Sequence, residues 1–339
     1  MDSAILAICL SLLLASGCTD ESTRIDADVA VDKGTVADDQ GGSMTDAGPV
    51  DASWPIPQRM QCDGDYLSPE QGETPGYSTL IEVSGLVASL TRRDILWMHN
   101  DSGDEGVLYA IGRDGRRRGR LSILEQPVDW EDLATARCPD GRGACLWIGD
   151  IGDNRQERDI VEVIVVREPS QDGDFDAEKI WRYPVRYPDG PINSEALLVA
   201  ADGRRFWLIE KVDGAEARVF EYPGPLNADQ TTTLQTRTTM PSPGIAIERG
   251  RMITGADLHP SGQRVAIRTY TGSFEYILAT PFDMSSLSTF TPRTIAFGPI
   301  TEPQGEAIAY DEVGTGVWTI SEDPMGSQVQ PLHHYPCSD

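Results

Sequence analysis

Five short segments open with a hydroxyl or a carboxylate and run on into small apolar residues: Ser84-Gly85-Leu86-Val87, Glu131-Asp132-Leu133-Ala134, Glu195-Ala196-Leu197-Leu198, Thr254-Gly255-Ala256-Asp257 and Glu306-Ala307-Ile308-Ala309. Their first residues lie 47, 64, 59 and 52 positions apart. Brought to one place, three carboxylates and two hydroxyls form an all-oxygen donor set. Like charges at close range raise one another's pKa, so such a set calls for a cation. Ca²⁺ takes about six to eight oxygen ligands, whereas zinc favours nitrogen and sulfur, so Ser84, Glu131, Glu195, Thr254 and Glu306 are read as a calcium site. The alternative is that they bond to neighbouring backbone, or to a lysine or arginine among them.

Each segment is followed by a turn and a second apolar strand: Ile95-Leu96-Trp97-Met98, Cys145-Leu146-Trp147-Ile148, Arg205-Phe206-Trp207-Leu208, Arg264-Val265-Ala266-Ile267 and Gly316-Val317-Trp318-Thr319. Four of the five carry a central tryptophan. Further strands follow, as in Val107 to Ile111 and Leu121 to Leu124, with Asp114-Gly115 as the turn between them. Four short strands per unit of about 45–60 residues predict an all-β fold, a five-bladed β-propeller. The last unit runs short of a strand, and Ser78-Thr79-Leu80-Ile81-Glu82 is expected to supply it. Six blades, should Ile245-Ala246-Ile247-Glu248 belong to an extra one, and a β-sandwich with accidental periodicity are the alternatives.

In a propeller the innermost strand of each blade starts at the mouth of the central channel, and the loop after the second strand returns to the same face. The five opening residues are therefore expected to ring that mouth beneath five polar loops. Those loops supply candidate catalytic groups: Asp101, Asp104 and Asp153 to orient a water, and Arg155, Lys211 and Arg268 to hold anionic oxygens. Each loop taken singly also reads as an ordinary turn. His99 is the one histidine placed in the channel, His259 falls in a turn, and Trp130 and Tyr270 are expected near the rim. A Ser–His–Asp triad is poorly served by four histidines.

The order Ser84, Glu131, Glu195, Thr254, Glu306 resembles the five-bladed calcium-activated nucleotidase (apyrase) family, whose resemblance implies calcium at these places. Thr254 departs from the family's serine while keeping the hydroxyl. The chain is also similar to bacterial phytase-like and SdiA-regulated propellers. The combination of His99-Asn100-Asp101-Ser102-Gly103-Asp104, Asp129-Trp130-Glu131-Asp132 and Gly149-Asp150-Ile151-Gly152-Asp153-Asn154-Arg155 resembles secreted bacterial propellers without a described activity.

Composition agrees with a turn-rich β protein: 39% of the 339 residues are hydrophobic, while 33 glycines and 23 prolines are too many for a helical bundle. Asp+Glu 54 against Lys+Arg 28 leaves −26 at pH 7, which repels phosphate backbones and excludes nucleic acid as a partner. At the N-terminus an apolar run from Ile5 to Ala15 ends in Ala15-Ser16-Gly17-Cys18, which reads as a lipoprotein signal at 1–17 with Cys18 as the acylated residue. An ordinary secretory peptide is the alternative. Residues 18–54 are acidic and poor in large apolar side chains, hence a solvated tether, and 55–339 form the propeller.

Four cysteines remain in the propeller. Cys138 and Cys145 flank a Pro-Asp-Gly turn and form the local disulfide choice, which leaves Cys62 with Cys337. The whole reads as a lipid-anchored protein of the cell envelope, at the outer membrane or secreted, with a central calcium and a top face that binds a small molecule or protein. The alternative function is a calcium-dependent phosphohydrolase acting on nucleotides, phytate or another phosphoester.

Overall fold

The computed structural model describes residues 60–101, 105–123, 127–297, 302–323 and 325–338. The expected signal segment, Cys18, the tether and Asp104 lie outside them.

The chain forms an all-β propeller of five blades. The innermost strands are Val83–Ala88, Trp130–Arg137, Ser194–Val199, Ile253–Leu258 and Gln304–Tyr310. Each pairs antiparallel with the second strand the sequence predicts: Ile95–Asn100, Ala144–Asp150, Phe206–Glu210, Arg264–Thr269 and Val317–Glu322. These strands are apolar almost throughout rather than alternating, because both faces of a blade are covered by its neighbours. Trp97, Trp147, Trp207 and Trp318 are buried between blades, as their recurrence suggests. The fourth blade has no such tryptophan and fills its core with Val265, Ile267 and Tyr276. Residues 245–248 lie in the loop between the third and fourth blades, so the described residues form five blades and not six.

Closure differs from the sequence expectation in one respect. Residues 78–82 form turns and bends, and the strand that completes the fifth blade is Glu70–Gln71, which pairs with His333–Tyr335. Pairing at the rim of a blade requires free backbone rather than apolar side chains, so two exposed polar residues suffice. The disulfide Cys62–Cys337 and the bridge Tyr66 to Cys337 fasten the same seam. The second disulfide, Cys138–Cys145, spans its hairpin as expected, the turn between them being formed by Gly141 and Gly143 at positive φ.

The long connections between third and fourth strands cross to the preceding blade. Gly173–Asp176 adds a parallel strand to Arg117–Ser122 of the first blade, and Thr232–Thr233 adds one to Ile180–Arg186 of the second. Gly119 is needed at the first crossing, since a Cβ there would overlap the Gly173 carbonyl. In the fourth blade the same connection carries the 3₁₀ turn Met284–Ser288, whose Met284 and Leu287 pack into the core of the third and fourth blades. These additions cover outer edges that would otherwise expose unpaired backbone.

Candidate functional site

All five innermost strands break register at their opening residue. The pairing skips between Val83 and Gly85, Trp130 and Asp132, Ser194 and Ala196, Ile253 and Gly255, and Gly305 and Ala307. The skipped residues are Ser84, Glu131, Glu195, Thr254 and Glu306. A bulge leaves one residue without a cross-strand partner and re-aims its side chain. Four of the five line a cavity of about 490 Å³ at the mouth of the channel.

Thr254 is the exception. It is fully buried and its hydroxyl donates to the Gly305 carbonyl at 2.9 Å. Ser84, though it borders the cavity, makes the equivalent bond, donating to the Glu131 carbonyl at 2.6 Å. Both hydroxyls thus stitch one blade to the next, and Ser84 also lies 3.4 Å from the Glu131 carboxylate, whereas Thr254 is outside the cavity lining.

The charge between Glu195 and Glu306 is balanced from within the chain. Lys211, which follows the second strand of the third blade, pairs with the Glu195 carboxylate and donates to the Tyr270 hydroxyl at 2.8 Å. Burial alone would lower the Lys211 pKa, but Glu195 and Glu306 more than reverse it and hold the ammonium above its usual range. Glu195 is pushed up to about 7 by burial, with Lys211 opposing. Burial also holds Glu306 well above the carboxylate range, while Gln304 donates to it at 3.0 Å and also to Glu322.

A second group of acids lies to one side. Asp101, Asp129 and Glu131 bring carboxylate oxygens within 4.8 Å of one another. Asp101 follows the second strand of the first blade, and the other two flank the start of the second blade. Asp129 is pushed up to about 7, by burial first and then by Asp101, with which it shares a hydrogen bond. Glu131 is driven well above its ordinary value by burial and then by Glu195. Gly152 leaves the space these groups occupy: a Cβ there would overlap both the Glu131 and the Asp129 carboxylates. The donor set is hard oxygen throughout and short of positive charge, which fits calcium or magnesium and not zinc.

Beneath the cavity lies a buried carboxylate with a different task. Asp132 is fully enclosed and accepts from the Leu133, Leu197 and Ala256 amides at 2.9, 2.7 and 3.1 Å, joining the second, third and fourth blades at the axis. Burial raises its pKa well above normal against those three donors.

The other sequence candidates are dispersed. Asp101 and Lys211 border the cavity and Tyr270 does so at the rim. Asp153 is buried and shapes its own loop, accepting from the Glu157 and Arg158 amides at 2.9 and 2.8 Å. Arg155 is exposed and outside the cavity lining. Arg268 is buried between the fourth and fifth blades, donating to Ser273 at 2.6 Å and lying 3.4 Å from Glu302. His99 is also buried outside the lining, edge-on to Trp130, which is itself buried rather than at the rim. For His99 and Arg268 the reason is strand alternation, since these residues of a second strand point between blades and not into the channel; Asp153 and Arg155 belong to a loop that folds on itself.

Sequence reasoning passed over Glu82, Asn193, Met252 and Gln304, which line the cavity, and Asp129 beside it. Each lies two residues before a blade-opening residue. Period two along a strand places such residues on the same side, so the signal was present. Glu322 ends the second strand of the fifth blade, while Asp213 and Arg249 come from loops, and these three carried no such signal.

No family model matches the chain, and no curated protein does. Among solved structures it is similar to Raptor from Chaetomium thermophilum, at 10% identity and a TM-score of 0.44 over 81% of this chain and 29% of that one. It is similar to U3-55K at 8% identity and a TM-score of 0.41, covering 80% of this chain and 99% of that one. For hydrazine synthase of Kuenenia stuttgartiensis the values are 11% and 0.39, over 78% and 98%.

Proposed function

We propose that this protein is an exported propeller that binds a divalent cation, calcium by its chemistry, at Asp101, Asp129 and Glu131, and takes a ligand or partner at the funnel above it. The observation that carries this reading is the meeting of three carboxylates from two blades, with Gly152 leaving them room. A bound ion would supply the positive charge that the group lacks. Lys211 already serves that purpose for Glu195 and Glu306, so the ion belongs off the axis rather than at the centre of the ring.

Binding is favoured over phosphoester hydrolysis by the character of the lining. Among the described residues, Lys211 and Arg249 are the cations of the cavity, and Lys211 is engaged by Glu195. Arg155 and Arg268, which the hydrolase reading needs, lie elsewhere. Both disulfides support an oxidising compartment, consistent with export and with acylation at Cys18. Radiolabelled palmitate incorporated by the parent and lost in Cys18→Ser tests the anchor.

The cation reading is tested by calorimetric titration of the purified chain with Ca²⁺ and with Mg²⁺. One calcium per chain is expected, with Glu131→Gln abolishing the heat. No heat from either ion would overturn it.

A further inference from the structure

Two loops beside the funnel hold aliphatic side chains out in water. Between the third and fourth blades, Ile245 and Ile247 are 42% and 59% exposed. Their loop is tied down at several points: the Ile245 amide donates to the Thr271 hydroxyl at 3.1 Å, that hydroxyl donates to the Gly250 carbonyl at 2.5 Å, and the Arg249 amide donates to Asp213 at 3.2 Å. On the fifth blade Met325 is 83% exposed, in a loop whose Met325, Ser327 and Gln328 amides donate to Asp323 at 3.2, 2.8 and 2.9 Å.

Single exposed apolar residues are unremarkable, but Ile245 and Ile247 share a hydrogen-bonded loop with Arg249, which lines the funnel, and Gly326, next to Met325, lies beside Glu82, another lining residue. The opening itself carries seven carboxylates against two cations; with Asp101 and Glu131 given to the ion and Glu195 and Glu306 to Lys211, Glu82, Asp213 and Glu322 remain. Such a surface is complementary to a cationic head on an apolar stem. Lysine and arginine have that form, their methylenes lying along apolar surface while the charge enters a polar site.

We propose that the top face docks a protein segment that presents a lysine or arginine between apolar residues. The basic head enters the funnel on the side of Glu82 and Glu322, away from the calcium-binding acids, and the flanking side chains cover Ile245, Ile247 and Met325. The inference names the partner class for the funnel of the preceding section and rests on that reading. Its physical logic is that of an interface with a buried central anchor and an apolar surround that excludes water. Anionic segments are rejected by the same charges that accept cationic ones.

The test is fluorescence anisotropy of the full chain with a labelled peptide of about twelve residues holding one lysine between two leucines. The comparator is the same peptide with its lysine acetylated. Saturable binding is expected, about ten-fold weaker after acetylation and about ten-fold weaker for the rim variant Ile247→Ser/Met325→Ser, whose calcium heat should be unchanged. Absence of saturable binding, equal binding of the acetylated peptide, or a rim variant that binds like the parent would each overturn the docking surface. Because calcium is titrated on the same samples, loss of peptide binding with intact calcium heat rejects this inference alone, whereas absent calcium heat rejects the cation site.

Discussion

Lys211 and Glu195 form an ion pair inside the funnel, at the place where a ring of blade-opening carboxylates would otherwise call for a metal. The pair is nearly enclosed, with side-chain exposures of 10% and 3%. A buried charge whose partner is removed is left uncompensated, at a cost of about 3–5 kcal/mol. Lys211→Met should therefore lower stability by that order in urea denaturation at pH 8, with a smaller loss at pH 5.5, where Glu195 is protonated. A variant as stable as the parent at pH 8 would show that the ammonium does not neutralise Glu195.

The cation-free protein should gain stability on mild acidification. Asp129 and Glu195 sit at about 7 in the folded state, against 3.8 and 4.5 ordinarily. Folded-state values above the unfolded ones mean that the folded chain holds protons the unfolded chain has released. Their contribution is complete below pH of about 4 and is lost as pH rises through about 7. In chelator, the melting temperature should rise from pH 8 to pH 5.5. Groups with lowered values, Glu302 and Asp311, act oppositely and lose their contribution as pH falls through their folded values.

Calcium should replace those protons. At pH 8, saturating calcium is expected to raise the melting temperature, by the equivalent of about 2.7 kcal/mol at a hundred times its dissociation constant. Glu131→Gln should remove the response. Melting curves that ignore calcium at both pH values would count against the site.

Asp132→Asn should be costly although it is nearly isosteric. One carboxylate oxygen accepts from both Leu197 and Ala256, and an amide nitrogen in its place accepts from neither. Two buried N–H groups left unpaired correspond to about 2–4 kcal/mol, read as a lower urea midpoint at unchanged slope. Substituting the other orientation strands Leu133 instead, at about half that cost. Faster exchange of the Leu197 and Ala256 amides would identify which orientation is adopted.

The seam of the propeller is fastened twice. Arg264 and Arg293 donate to the Cys62 carbonyl at 2.7 and 2.6 Å, and Arg293 to the Gly64 carbonyl at 2.6 Å. Both arginines are held by the fully buried Glu275, which also accepts from the Tyr66 and Tyr310 hydroxyls at 2.9 Å. Replacing Cys62 and Cys337 by serine should cost about 2–5 kcal/mol without opening the seam. Adding Glu275→Gln should then cost more than it does with the disulfide intact, because each fastening limits the damage done by loss of the other. Strictly additive losses would show the two to be independent.

The blade count, the second strands and the Cys138–Cys145 disulfide were legible because they rest on local signals: recurrent apolar strands, tryptophans at one position, and a turn between two cysteines; Cys62–Cys337 followed as the remaining pair. The blade-opening residues were legible for the same reason, and all five sit at bulges. The closing strand was not, because Glu70–Gln71 contributes backbone alone and leaves no apolar mark. Nor was the dispersal of Arg155, Arg268 and His99, since a loop or strand end reveals its polarity in sequence but not the direction in which its side chains point.

The sequence by itself determined that five like units close into one ring, and that a hydroxyl or carboxylate starts each of them. Only the tertiary structure decided what those residues face. Thr254 turns to a neighbouring carbonyl, Lys211 pairs with Glu195, and Asp101, from another blade, meets Asp129 and Glu131. Periodicity is a property of the chain and can be read along it; charge balance depends on distances of a few ångströms between residues of different blades, which folding alone sets.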